Sequence, residues 1–256
     1  MKRITVLIPT HNNCKTLHYS LKSVFLQTIQ DYEIIIVGDG VSDETREIVR
    51  QYQVTDKRIL FYDNPKGPRH GEIWRDEALS EATGNVVCYL SDDDIWMPDH
   101  LAQLSELLLT NDFVSALTVR VNHEGELYIY NGDLSMNSSR QSVIAGHNFM
   151  PLSSVGHTMD FYRRLPFGWQ TTPESSFSDL YMWQQCLTVA NCKSASNNKP
   201  TVLNFPKSMR KQMSLDERCK ELEKYLQLSC DPEFEKQLIL NALDFLVKSR
   251  VKEILG

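Results

Sequence analysis

The chain has 256 residues, with 27 Lys and Arg against 33 Asp and Glu, a formal charge of −6. Apolar residues make up 41% and charged residues 23%, which excludes a disordered chain, and this length needs no disulfide or metal to build a core. The acidic balance lacks the basic face of a nucleic-acid binder, no stretch reaches the ~20 apolar residues of a membrane span, and the six cysteines include no C-x-x-C pair.

Ile4 to Ile8 is a continuous apolar run that stops at Pro9, too short for a secretory signal and typical of a strand covered on both faces. Leu17, Leu21, Val24 and Phe25 recur at helical spacing. Ile34 to Val37 predicts a second strand, closed by Gly38-Asp39-Gly40, and Ser42 or Asp43 can cap the helix carrying Ile48, Val49 and Tyr52. A third strand is expected over Arg58 to Tyr62, then a Pro- and Gly-rich loop, then a helix with Ile73, Trp74, Ala78 and Ala82 on one face and Gly84 as its stop. Val86 to Leu90 predicts a fourth strand, and Pro98 suits the first turn of a helix through Leu108. This alternation implies a parallel sheet with helices on both faces.

Past residue 112 the pattern changes. Phe113 to Val121 and Leu127 to Tyr130 flank Asn122-His123-Glu124-Gly125 as a hairpin. Residues 131–148, rich in Ser, Asn and Gly without a clear period, are expected to form a mobile loop. A strand is expected near Ser154 to Phe161, a helix from about Ser178 to Ala190, and helices again from Ser214, broken at Pro232.

In open parallel sheets ligands bind beyond the carboxyl ends of the strands, which selects the loops Pro9 to Asn13, Gly38 to Asp43, Asn64 to Gly71 and Ser91 to Asp94. Asp92, Asp93 and Asp94 are three adjacent carboxylates after a buried strand. Their mutual repulsion is relieved by a hard cation, Mn²⁺ or Mg²⁺, shared with substrate phosphates; one Asp would suffice for a helix cap. Asp39 lies between two glycines that admit a ligand to its carboxylate, or that simply make a tight turn. Gly38-x-Gly40 is an incomplete dinucleotide fingerprint, since Asp43 stands where a third glycine belongs.

Taken together, Val6-Leu7-Ile8-Pro9-Thr10-His11-Asn12, Ile36-Val37-Gly38-Asp39-Gly40-Val41-Ser42-Asp43-Glu44-Thr45, Arg75 and Tyr89-Leu90-Ser91-Asp92-Asp93-Asp94 resemble family 2 inverting glycosyltransferases of the GT-A fold, and are similar to the spore-coat polysaccharide transferase type. The likeness covers residues 3–110, extends more weakly to about 190, and ends before 205. It implies a nucleotide-sugar donor and a divalent metal. Thr10 and Asp39 would hold the nucleobase, with Asp39 accepting from uracil N3–H; Asp92 would bind the ribose, Asp93 the metal, and Arg75 would lie near the donor phosphates. The chain departs from the family pattern in three places: a common Asp-Asp-Gly-Ser turn appears as Gly38-Asp39-Gly40-Val41 and loses one carboxylate, His11 stands where an aromatic stacks the base in some members, and Ser91 replaces an Asp.

By family position Asp179 would be the general base, although at a helix start it also complements the dipole. His157 and Trp169 are candidates for the acceptor side, against a core role for each; Trp183 shares that choice. Lys207, Arg210 and Lys211 suggest a solvated surface, with phosphate or membrane contact as the alternative.

The expected protein is thus an α/β GT-A enzyme. Residues 1–112 form a nucleotide-sugar half, 113–205 an acceptor half of the same domain, and 206–256 a helical segment through which two copies could pair. The donor is expected to be a UDP-sugar, the acceptor a carbohydrate or other hydroxyl, and the location cytoplasmic or peripheral to a membrane. The alternatives are a catalytically silent nucleotide-sugar-binding protein and a nucleotide-dependent oxidoreductase.

Overall fold

The computed structural model describes residues 3–130 and 132–255. In chain order the elements are β1 (Ile4–Thr10), α1 (Cys14–Phe25), β2 (Tyr32–Asp39), α2 (Asp43–Thr55), β3 (Ile59–Asn64), α3 (Glu72–Ser80), β4 (Val86–Tyr89), β5 (Ile95–Trp96) and α4 (His100–Leu107). The second half adds β6 (Phe113–Val121), β7 (Leu127–Ile129), α5 (Asn137–Ile144), β8 (Val155–Thr158), α6 (Met159–Tyr162), α7 (Ser178–Thr188), β9 (Ser194–Asn204), α8 (Leu215–Ser229) and α9 (Pro232–Leu255).

Among the described residues the strands make one nine-stranded mixed sheet, ordered β3-β2-β1-β4-β8-β6-β9-β5, with β7 on β6. β3, β2, β1 and β4 are mutually parallel, β8 is antiparallel to both β4 and β6, β9 is parallel to β6, and β5 runs antiparallel to β9. Alternate side chains feed two cores. Ile4, Val6, Ile8, Ile34, Ile36, Val86 and Cys88 pack with α1, α2 and α4 on one face, while Leu7, Ile35, Val37, Val87 and Tyr89 pack with α3 and α7 on the other. A third core seats Leu222, Tyr225, Leu226 and Leu238 of α8 and α9 against Ile95, Val119, Val121 and Leu203. No helix among the described residues is long and apolar enough to cross a membrane.

Ser42 caps α2 by accepting from the Thr45 N–H, and Ser214 and Glu217 form a reciprocal capping box on α8. Four expectations change. The segment expected to be a mobile loop contains α5: Leu134 and Val143 are buried, and the Gln184 amide donates to the carbonyls of Val143 and Ile144 at the helix end (Asn131 lies outside the described residues). The strand expected through Phe161 ends at Thr158, whose hydroxyl caps α6. Pro98 precedes α4, because its carbonyl is held by the Thr28 N–H. Gly84 lies beyond the end of α3; a Cβ there would meet Thr5 of β1.

β9 was not foreseen. Its first half is polar, and its pairing with β6 is irregular around Pro200, where a strand tolerates a residue without an N–H.

Candidate active site

A cleft of 540 Å³ opens at the carboxyl ends of β1, β2 and β4 and is closed on its other side by α3, the start of α7 and residues 204–207. It brings together Thr10, His11, Asp39, Arg75, Asp92, Asp93 and Asp179.

The β1 and β4 loops build one corner. The Thr10 hydroxyl donates to Asp92 at 2.7 Å, and the Asn13 amide donates to both Asp92 oxygens at 2.9 and 3.0 Å. At the end of β2, Asp39 accepts from the Gly67 N–H at 2.6 Å and from Lys66 Nζ at 2.7 Å. Lys66 also donates to the carbonyls of Gly67 and Arg69, which fixes the loop after β3 around the carboxylate. Gly71 belongs to that wall by necessity: its φ is +62°, and a Cβ would collide with the Asp39 carboxyl. His11 Nδ1 is 2.5 Å from the Asp39 carbonyl oxygen, so the proton sits on Nδ1, and Nε2 can accept from the Asn12 amide.

Asp93 and Asp94 are neighbours with opposite fates. Asp93 lines the cleft, its Oδ2 2.9 Å from Arg218 Nη2 and 4.0 Å from Lys207 Nζ. Burial, then the charges of Asp92 and Asp94, push its carboxyl up to about 7, against the pull of Lys207 and Arg218. Asp94 leaves the expected metal set. It does not line the cleft, and its carboxylate accepts from the Ser153 hydroxyl at 2.5 Å, the Phe205 N–H at 2.9 Å and the Asn204 amide at 3.1 Å. It ties the β4 loop to the end of β9.

Arg75 enters from α3. Its guanidinium stacks 4.6 Å from the Trp169 ring centroid and donates to the His70 carbonyl at 3.4 Å, while its buried Nε–H has no partner among the described residues. Burial holds its pKa below the ordinary arginine value. Asp179, at the start of α7, is positioned by ties back to the donor loops: Ser178 donates to Glu72 at 2.5 Å and Arg69 to the Ser176 carbonyl at 3.1 Å. Asp179 accepts from the Leu180 N–H at 2.8 Å. Burial raises its pKa above the usual carboxylate range, opposed by that hydrogen bond and by the charge of Arg75.

The two acceptor-side candidates lie elsewhere. His157 is fully buried in β8; its Nδ1–H is 3.1 Å from the Thr158 carbonyl, and its Nε2 accepts from the Tyr89 hydroxyl at 2.7 Å. Desolvation pulls its pKa down to about 4, so it is neutral. Trp169 is also buried, and its Nε1–H donates to the same Tyr89 hydroxyl at 3.0 Å. The chain His157–Tyr89–Trp169 ends beneath Arg75, so both residues support that guanidinium instead of touching a sugar. Trp183 is core.

Sequence reasoning missed Lys66 and Arg218 and underrated Lys207. The basic run divides: Lys207 lines the cleft, whereas Arg210 is buried against Glu221 at 2.6 and 2.7 Å. Lys66 lies in the Pro- and Gly-rich loop after β3 that the strand-end rule selects, but nothing in the local sequence marks the lysine itself as the partner of Asp39.

The chain matches the family model described as glycosyl transferase family 2 over residues 5–167, more than half its length. It is 31% identical over 106 residues to the GalNAc(5)-diNAcBac-PP-undecaprenol beta-1,3-glucosyltransferase of Campylobacter jejuni, an alignment covering 41% of this chain and 34% of that one. The matched stretch takes up between 18% and 45% of the length of the curated relatives. The fold is similar to that of S. aureus TarS in complex with UDP-GlcNAc, at a TM-score of 0.67 and 15% identity over 94% of this chain and 71% of that one. It is also similar to the mannosyltransferase PcManGT of Pyrobaculum calidifontis in complex with GDP-Man and Mn²⁺, at a TM-score of 0.57 and 16% identity over 96% and 75%. A parallel β-α half with an acidic cleft at its strand ends, a mixed second half, and these likenesses converge: the chain belongs to glycosyl transferase family 2 and has the GT-A fold.

Proposed function

We propose that the chain transfers a sugar from a UDP-sugar to an acceptor hydroxyl, with Mn²⁺ or Mg²⁺, by a single inverting displacement. The observation that carries this reading is the shared cleft: three carboxylates from the strand-end loops face Arg75 and Asp179 across one cavity. Asp39 has one partner on each oxygen, leaving lone pairs for a uracil N3–H, and Asp92 is set by Thr10 and Asn13 to receive ribose hydroxyls. TarS with UDP-GlcNAc supports the donor class, and PcManGT with Mn²⁺ the metal.

The residues fit a divalent cation. No group of three His, Cys, Asp or Glu among the described residues forms a ready cage. Mg²⁺ and Mn²⁺ need only one or two carboxylates when phosphates and water complete the shell. Asp93 would hold the ion beside Asp92. A bound cation supplies Lewis-acid stabilisation of the departing diphosphate. Arg75, which lines the cleft, would face negative charge as the sugar leaves. Asp179 would take the proton of the acceptor hydroxyl. Its raised pKa makes it a better base, and the Arg75 charge favours its ionised form. Its presence in the cleft argues against a catalytically silent protein. On this reading residues 1–112 serve the donor and 113–205 the acceptor.

Thermal-shift and calorimetric titration with UDP, GDP, ADP and their sugars, in Mn²⁺ and in EDTA, tests the proposal. A shift selective for UDP and dependent on Mn²⁺ is expected. Equal UDP affinity in Mn²⁺ and EDTA removes the metal, and a preference for GDP reassigns Asp39.

A further inference from the structure

The cation already sitting on Asp93 comes from outside the matched family region. Arg218 lies in the first turns of α8, and Lys207 in the segment before it, both beyond residue 167. Arg218 Nη2 donates to Asp93 Oδ2 at 2.9 Å, and Lys207 Nζ is 4.0 Å from the same oxygen. The side chains of Arg218 and Asp93 are 14% and 11% exposed, so their attraction is only partly screened. α8 is itself anchored: Ser214 and Glu217 cap it, and Leu222, Tyr225 and Leu226 pack against the far end of the sheet. The guanidinium is therefore presented by a seated helix.

This geometry treats two ligands differently. A divalent cation arriving alone meets a carboxylate whose Oδ2 is already paired, and at either oxygen it must displace Arg218 or sit in the field of that like charge. A cation arriving with a nucleoside diphosphate brings anionic oxygens for the released guanidinium and for Lys207, which already lines the cleft. The first event loses an ion pair or incurs that repulsion; the second exchanges the pair for another.

We propose, resting on the reading of Asp93 as metal ligand, that Arg218 is a resident counter-cation that couples metal to nucleotide. It holds Asp93 in the donor-free protein, disfavours metal without nucleotide, and turns to the donor diphosphate when the two bind together. Because linkage is reciprocal, whatever factor UDP gains from Mn²⁺, Mn²⁺ gains from UDP.

The test is Mn²⁺ binding to the full chain, counted by electron paramagnetic resonance and calorimetry with and without UDP. In Arg218→Gln, Mn²⁺ without nucleotide should bind about five- to tenfold more tightly, the weight of a partly shielded ion pair. The gain in Mn²⁺ affinity on adding UDP should shrink by at least that factor. Arg218→Lys keeps a cation on the same helix turn and should stay within about twofold of wild type in both measurements. It also separates loss of charge from any loosening of α8, which melting curves of the two variants report. Nucleotide-free Mn²⁺ affinity in Arg218→Gln at or below wild type overturns the proposal and leaves Arg218 as a helix-docking ion pair. If wild-type UDP affinity is indifferent to Mn²⁺, the metal reading of Asp93 fails first and the coupling falls with it, a result visible before any variant is made.

Discussion

On the donor wall of the cleft, Asp39 receives two donors at 2.6 and 2.7 Å, and Asp92 receives the Thr10 hydroxyl and the Asn13 amide within 3.0 Å. On the facing wall, Arg75 keeps a buried Nε–H without a partner among the described residues, and Asp179 is raised above the carboxylate range by burial. Carboxylates with local donors are fixed anions whose geometry is set before a ligand arrives. A buried cation with an unmet donor, as at Arg75, holds capacity in reserve for charge that appears only with the ligand, and a buried carboxyl raised as at Asp179 is poised to take a proton. On the proposed reading the first set of groups binds the donor and the second serves the chemical step.

The contrast breaks most sharply at Asp179. Asp179→Asn keeps the shape and loses the basicity, so single-turnover transfer should fall by about 10²–10⁴ while UDP affinity stays near wild type. A rate within a few-fold of wild type would make both walls binding surfaces. The pH profile carries the same point with a definite sign. Asp179 must be ionised to accept a proton, and its folded-state pKa is raised, so activity is present above that value and lost as pH falls through it. The acid limb of kcat should lie above the ordinary Asp value of about 4, and it should vanish in the residual activity of Asp179→Asn.

Arg75→Met tests the unpaired cation. Removing a buried charge that lacks a full set of partners should leave the melting temperature unchanged or higher, while turnover falls by about 10²–10³, the usual loss for one transition-state donor. A protein that unfolds instead would show that Arg75 is a structural ion held by Trp169. Asp39→Ala probes the donor wall. A charge-assisted hydrogen bond of about 1.5–3 kcal/mol predicts a ten- to hundred-fold loss of UDP affinity by calorimetry and a narrower preference over ADP and GDP.

The smallest functional effect is expected at His157. His157→Phe leaves the Tyr89 hydroxyl without its acceptor, costing about 1–3 kcal/mol in urea denaturation, while turnover per folded molecule stays within a few-fold. His157 is held near 4 in the fold and titrates near 6.5 when unfolded. Between those values the unfolded chain binds more protons, so stability falls as pH falls, and the Phe variant should lose that component.

Much of the donor wall was legible because each of its groups follows directly on an apolar strand, and a parallel sheet gathers strand ends at one edge. That rule selects the loops carrying Thr10, Asp39 and Asp92 and the carboxylates themselves, whereas Thr10 and Asp179 come from the family likeness. The adjacent Asp94 shows the limit. Three carboxylates in a row suggested three ligands, but successive side chains leave a loop in different directions, and only the position of β9 decides that Asp94 meets Asn204 and Phe205.

Composition and periodicity by themselves determined the α/β alternation of the first half, its two-faced strands and the helices after Ser214, because these rest on local hydrophobic period and caps. Tertiary structure alone decided what no local pattern encodes. It placed the polar strand β9 between β6 and β5, sent His157 and Trp169 into a hydrogen-bonded prop under Arg75, and brought Lys66 to Asp39 and Arg218 to Asp93. The last of these pairs is 125 residues apart in the chain. A lysine or arginine on a solvated helix and one that neutralises a buried carboxylate have the same sequence signature, and only the packing of the element that carries it tells them apart.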